Sequence, residues 1–324
     1  MTLKSTFLGA ALVVVAAFPA VAQELKFANF TPPFHTVNAS VIEKLNTDLA
    51  AATGGSLTVR GYHGGELGKG PVEQYIRAVQ GVADITWGLQ GYTSSQFEKA
   101  MIVELPGVVP EGKSGADALW DAMAEIGGEF PGTVPVALWT SEPNVMIMRD
   151  KVIRTPGDLE GLKIRVAGAT AGRVAEALGA TPVQMPINQV YNALQTGLID
   201  GVFTGSSTLD DFKLDEVADA FTIGAPLGRL SFFAVMGQSS YDVLSDEAKA
   251  ALEANVGRDL SNNAETAWNE TGVIGVARAR KDDKNTFVDL TAEEIQAFTD
   301  AVSSVTSDYV ASVGGDAALA AMQQ

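Results

Sequence analysis

The residues with the clearest chemical potential are Lys163 and Arg165, two apart in the run LKIRV at 162–166. The run reads as a strand, whose alternation puts both cations on one face and Ile164 and Val166 on the other. Arg165 is thereby aimed away from the apolar side, near a strand end, where α/β sheets bind ligands. A planar guanidinium there can hold one carboxylate through two parallel hydrogen bonds, which a lysine cannot do. Spacing alone also allows a structural salt bridge.

Other chemistries find little support. There are two histidines, His35 and His63, and no cysteine. A two-histidine metal site would need both, and no H-E-x-x-H spacing occurs. Thiolate chemistry, disulfides and cysteine–zinc sites are excluded, and no metal or cofactor is expected. No G-x-S-x-G elbow is present. GGELGKG at 64–70 resembles a phosphate loop, but Gly70 stands where Ser or Thr is needed. GATAGR at 168–173 is not a dinucleotide fingerprint, although a helix starting near Thr170 could offer backbone N–H groups to an anion.

These residues must be positioned by a chain of 324 residues, a length that suggests about two domains. Hydrophobic residues make up 46% and charged residues 19%, the balance of a globular chain. The formal net charge of −17 argues against nucleic acid and against anionic lipid, both of which attract Lys and Arg. Lys4, an apolar stretch at 7–18 and Ala20-Val21-Ala22 form an export-signal pattern over residues 1–22. A soluble exported protein of a bacterial periplasm is expected.

Strand and helix patterns then alternate. Strands are expected near 25–29, 57–62, 83–87, 134–139, 164–166, 181–184 and 201–203, and helices near 37–52, 71–80, 116–126, 171–178 and 188–196. Such alternation predicts helices packed on mostly parallel sheets. From 245 to about 280 the pattern is helical and long enough to straddle two lobes, unless Gly257 or Gly272 breaks it. Thr291 and Glu294 form a capping box. No Pro/Gly linker separates domains, so the chain is expected to cross between lobes more than once through ordered strands.

Residues 155–204 carry the most specific pattern: GLKIR at 161–165, GATPVQM at 179–185 and VYNALQTGLIDG at 190–201. This set closely resembles the solute-binding proteins of tripartite ATP-independent periplasmic (TRAP) transporters, which capture organic acids. Glu66-Leu67-Gly68, Gly81-Val82-Ala83-Asp84 and Leu105-Pro106 are similar to the family's first lobe, so the resemblance spans nearly the whole mature chain. It implies an α/β fold of two lobes with an interlobe cleft and a long helix spanning both. Lobe I would comprise 23–143 and 232–270, and lobe II 144–231 and 271–324. It also implies that Arg165 pairs with a substrate carboxylate, that the partners are membrane subunits of a TRAP transporter, and that the protein is no enzyme. A monomer is favoured.

Departures from the family pattern bear on the ligand. Where many members carry a second arginine, this chain reads SEPNVMIM at 141–148, with Asn144 the uncharged polar candidate. Thr204, preceded by Phe203, stands where many members have Asn. The first-lobe run offers Trp87, Gln90 and Tyr92, and Phe30 replaces a polar residue of some relatives. Fewer polar groups and more aromatics favour a monocarboxylate with an apolar or aromatic body, such as a 2-oxo or 2-hydroxy acid. A second buried charge would need a second cation; Arg229, near a crossing strand, is the residue that would support a four-carbon dicarboxylate instead. Less favoured are a periplasmic lyase or hydrolase using Asp200 or His35, and a ligand sensor for a membrane receptor.

Overall fold

The computed structural model describes residues 22–324. The segment read as an export signal lies outside them, save Ala22. Eleven strands are present among the described residues: β1 (Gln23–Ala28), β2 (Leu57–Tyr62), β3 (Ile85–Leu89), β4 (Thr133–Thr140), β5 (Asn144–Met148), β6 (Lys163–Val166), β7 (Thr181–Gln184), β8 (Gly201–Gly205), β9 (Ala220–Ile223), β10 (Ser231–Gly237) and β11 (Thr286–Asp289). They form two sheets, one ordered β2-β1-β3-β10-β4 and the other β11-β9-β5-β8-β6-β7, each flanked by helices. The chain is thus a two-lobed α/β protein.

The sheets are mixed rather than mostly parallel, for one reason. Every antiparallel pair involves β5 or β10. These two strands arrive from the opposite lobe, β5 directly after β4 and β10 after β9. Each enters its new sheet running against both neighbours, whereas strands connected by helices within a lobe stay parallel.

Residues 245–280 form two helices, Asp246–Asn255 and Arg258–Ala279, broken where Gly257 takes a φ of +87°. That left-handed backbone suits glycine and not a helix interior. Gly272 instead lies inside the second helix. Its missing side chain lets the helix approach the crossing segment: an added Cβ would meet Ser206 Oγ at 2.7 Å and Glu142 Oε1 at 3.0 Å. Twenty-two residues extend about 33 Å, enough to span both lobes. At one end Ser261 Oγ accepts from Leu138 N of β4; at the other Arg278 pairs with Asp215 at 2.6 Å.

Local signals behave as their chemistry dictates. Thr291 and Glu294 close a capping box on helix Ala292–Ala301, and Thr155 and Asp158 do the same before β6. Leu25, Phe27, Ile85 and Trp87 are buried beneath helix Lys44–Ala52 and its neighbours in the first lobe. In the second lobe Ile147, Leu194, Val202 and Phe221 fill the equivalent space. None of the described helices is long and apolar enough to cross a membrane.

Candidate ligand cleft

Arg165 leaves β6 towards the space between the lobes and is 1% exposed. Its Nε donates to the Met185 carbonyl at 2.9 Å, and its Nη2 lies 3.4 Å from the Tyr92 hydroxyl. Among the described residues no carboxylate stands within 4 Å of it, and the titratable group that faces it is the Tyr92 phenol. Burial pushes its pKa down, yet guanidinium remains protonated in proteins. A cation taken out of water without an anion is costly, and the cost is relieved when an anion arrives.

Tyr92 comes from the other lobe, in the turn Gln90–Thr93 that follows β3. Its oxygen accepts from Ile187 N at 2.9 Å and faces Arg165, so its own proton is left to donate elsewhere. Burial raises the phenol's pKa, keeping it neutral and a donor. Close by, Ala169 N donates to Ser94 Oγ at 3.2 Å and Gln184 Nε2 to the Gly91 carbonyl at 3.3 Å. The two lobes are therefore closed on one another.

Beneath this closure lies an empty space of about 420 Å³, mouth included. Phe30 and Trp87 stack at 4.6 Å to form one wall. Trp87 Nε1 donates to Asn29 Oδ1 at 2.9 Å, which fixes the indole plane. Thr204 lines the space from β8, and its buried hydroxyl has no protein partner. Arg165, Tyr92, Phe30, Trp87 and Thr204 are thus brought together.

Three other candidates are not. Phe203 precedes Thr204 on β8, so alternation turns it to the opposite face, where it is buried with Met146 and Ile164. Gln90 is wholly buried and accepts from Ser231 Oγ at 2.9 Å, bracing β10. Asn144 donates to the Leu227 carbonyl at 3.3 Å and borders a separate depression with Ser206 and Gly272. Arg229 stays outside the space, 3.7 Å from Glu265. Asp200, weighed as a catalytic acid, accepts from Lys163 N at 2.8 Å and is also outside.

The structure adds Asp211, Phe212 and Trp268, which the sequence did not single out, and puts His35, weighed above only as a catalytic residue, on the wall of the space. His35 and Asp211 both line the space, from opposite lobes, with His35 Nε2 3.6 Å from Asp211 Oδ2. Burial pushes the imidazole down to about 3 and the carboxyl up to about 7. Phe212 and Trp268 close the far wall, each edge-on to His35. The cavity therefore offers one permanent cation, aromatic walls and a near-neutral His–Asp pair.

Two α/β lobes shut over a cavity that holds an unpaired cation are the architecture of a ligand-capturing solute-binding protein. The chain belongs to the bacterial extracellular solute-binding proteins of family 7, matched over residues 27–312, the family of the TRAP transporters' binding components. It is 28% identical over 192 residues to the C4-dicarboxylate-binding periplasmic protein DctP of Rhodobacter capsulatus, covering 58% of this chain and 56% of that one. The chain spans little more than half the length of the first such relatives it matches. Solved structures agree over more of the fold. A TRAP solute-binding protein from Rhodoferax ferrireducens, in complex with copurified benzoate, superposes with a TM-score of 0.87 at 27% identity, covering 93% of this chain and 96% of that one. A marine metagenome TRAP protein, specific for aromatic acid ligands and crystallised with 3-hydroxybenzoate, gives 0.87 at 26% identity, covering 93% and 97%.

Proposed function

We propose that this protein captures an organic monocarboxylate with an aromatic body outside the cytoplasm, in a bacterial periplasm, and delivers it to the membrane subunits of a TRAP transporter. The observation that carries this reading is the Arg165 guanidinium, 1% exposed with no carboxylate beside it among the described residues. A ligand carboxylate supplies the missing anion, and the Tyr92 proton is placed to reinforce it. Phe30 and Trp87 cover the flat body. Closure then follows because both lobes contribute to one site, so the closed form binds ligand better than the open form does. The aromatic acids bound by the relatives with benzoate and 3-hydroxybenzoate support the same ligand class.

A four-carbon dicarboxylate, the ligand named for the Rhodobacter relative, is disfavoured on charge. Its second carboxylate would meet Asp211 and a neutral His35 instead of a second cation, since Arg229 is engaged with Glu265. The protein acts as a carrier and leaves its ligand unchanged. A calorimetric screen of benzoate-type acids, short 2-oxo acids and succinate tests the reading, with ligand recovered afterwards for analysis. Aromatic monocarboxylates are expected to bind, and Arg165→Ala to lower affinity a hundredfold or more, since breaking a buried charge pair costs about 3–5 kcal/mol. Tight succinate binding, undiminished binding by the variant or a transformed ligand would refute it.

A further inference from the structure

His35 and Asp211 form a second polar pole of the cavity, distinct from the one at Arg165. The two poles share no hydrogen-bond partner: Arg165 meets Met185 and Tyr92, whereas Asp211 meets Thr36. The imidazole is boxed by Trp87, Phe212 and Trp268, with ring centroids 5.2–5.6 Å away.

Hydrogen-bond accounting shows what the pair has left to offer. The Val37 N–H donates to His35 Nδ1 at 3.1 Å, so the proton of the neutral ring sits on Nε2. That N–H has no acceptor within 3.5 Å among the described residues; Asp211 Oδ2, at 3.6 Å, is just beyond reach. Asp211 Oδ1 receives Thr36 N at 3.1 Å, and the single Thr36 hydroxyl proton is shared between Oδ1 at 3.1 Å and Oδ2 at 2.9 Å, so Oδ2 keeps acceptor capacity. A free donor and a free acceptor 3.6 Å apart on the cavity wall suit a hydroxyl, which accepts and donates through a single oxygen. A second carboxylate would face Asp211, and an unsubstituted ring would offer neither group a partner.

We propose that His35 and Asp211 are specificity-determining residues that select a hydroxylated aromatic monocarboxylate, with the His35 Nε2–H donating to the ligand hydroxyl and Asp211 Oδ2 accepting from it. This rests on the carboxylate-capture reading above. A site built to hydrogen-bond a hydroxyl discriminates strongly against the analogue lacking it, so the preference is a property of this pair and not of the aromatic walls.

The test is a set of dissociation constants at pH 8, where the Asp211 carboxyl is ionised and can accept, for benzoate, 3-hydroxybenzoate and 4-hydroxybenzoate, with wild-type protein and with His35→Phe and Asp211→Ala. The quantity read is the ratio of the benzoate constant to that of the better hydroxylated acid, which cancels any general loss of affinity in a variant. The wild-type ratio is expected to be tenfold or more, and to fall to within about threefold of unity in each variant. A wild-type ratio near unity, or a ratio that survives both substitutions, overturns the assignment. Should the variants fail to fold, the wild-type ratio alone decides. Binding of benzoate without a hydroxyl preference defeats only this inference, whereas binding of none of the three acids defeats the capture reading itself.

Discussion

Gly168 of the second lobe lies backbone to backbone against Gly91 of the first: a Cβ built on Gly168 would stand 2.6 Å from Gly91 Cα and 2.9 Å from its carbonyl oxygen. Gly168 has a φ of −161°, an extended conformation open to any residue. The glycine is therefore required by the close approach of the lobes and not by its backbone angle. Gly168→Ala is expected to fold with wild-type stability and to resist closure, weakening ligand binding tenfold or more. Small-angle scattering with saturating ligand checks this: the variant should keep the larger radius of gyration of its unliganded form.

Tyr92 offers a subtler probe. Tyr92→Phe keeps the ring but removes the proton proposed to reach the ligand and the acceptor for Ile187 N. Affinity should fall about tenfold, the worth of one or two hydrogen bonds, and calorimetry of the variant against wild type measures it. An unchanged constant would remove Tyr92 from the ligand shell.

The His35–Asp211 pair makes stability depend on pH in two opposing senses. His35 falls from 6.5 to about 3 on folding, so the unfolded chain binds more protons between those values and this contribution to stability grows as pH rises to 6.5. Asp211 rises from 3.8 to about 7, with burial first and the neighbouring Asp210 and Glu142 charges adding to it. The folded chain then binds more protons, and this contribution is lost as pH rises through 7. Each slope is limited to about 1.4 kcal/mol per pH unit. Between pH 4 and 6.5, Asp211→Asn should therefore show a melting temperature that climbs more steeply with pH than wild type, and His35→Phe one that climbs less or falls. Thermal denaturation across that range distinguishes the two.

Glu265 anchors the long helix to the first lobe. It is 3% exposed and accepts from Gly115 N and Ala116 N at 2.7 Å and from Thr140 N at 3.1 Å. Glu265→Ala strands three buried donors and frees Arg229. Leaving one such donor unpaired costs about 1–3 kcal/mol, so urea unfolding should show a loss of roughly 3 kcal/mol or more.

Much of this architecture was legible in the order of residues, and the failures have physical reasons. The side of β6 from which Arg165 points could be read because a cation in a strand must choose a face. Naming both Phe203 and Thr204 asked neighbours on one strand to share a face, which alternation forbids; Thr204 alone lines the cavity. The reversed directions of β5 and β10 were not legible, because a strand's composition is the same whichever way it runs. His35 carried no spacing signal at all: its partner Asp211 lies in the other lobe, and only folding brings an isolated histidine and an unremarkable aspartate to 3.6 Å.

The placement of β10 between β3 and β4 also constrains how the protein comes into being. Until residue 237 has emerged from the ribosome, β3 and β4 have no strand to join them, and the sheet they belong to cannot assemble. Neither lobe can be completed from a contiguous stretch of nascent polypeptide. Such distant pairings slow folding, leaving a long interval in which the chain remains threadable.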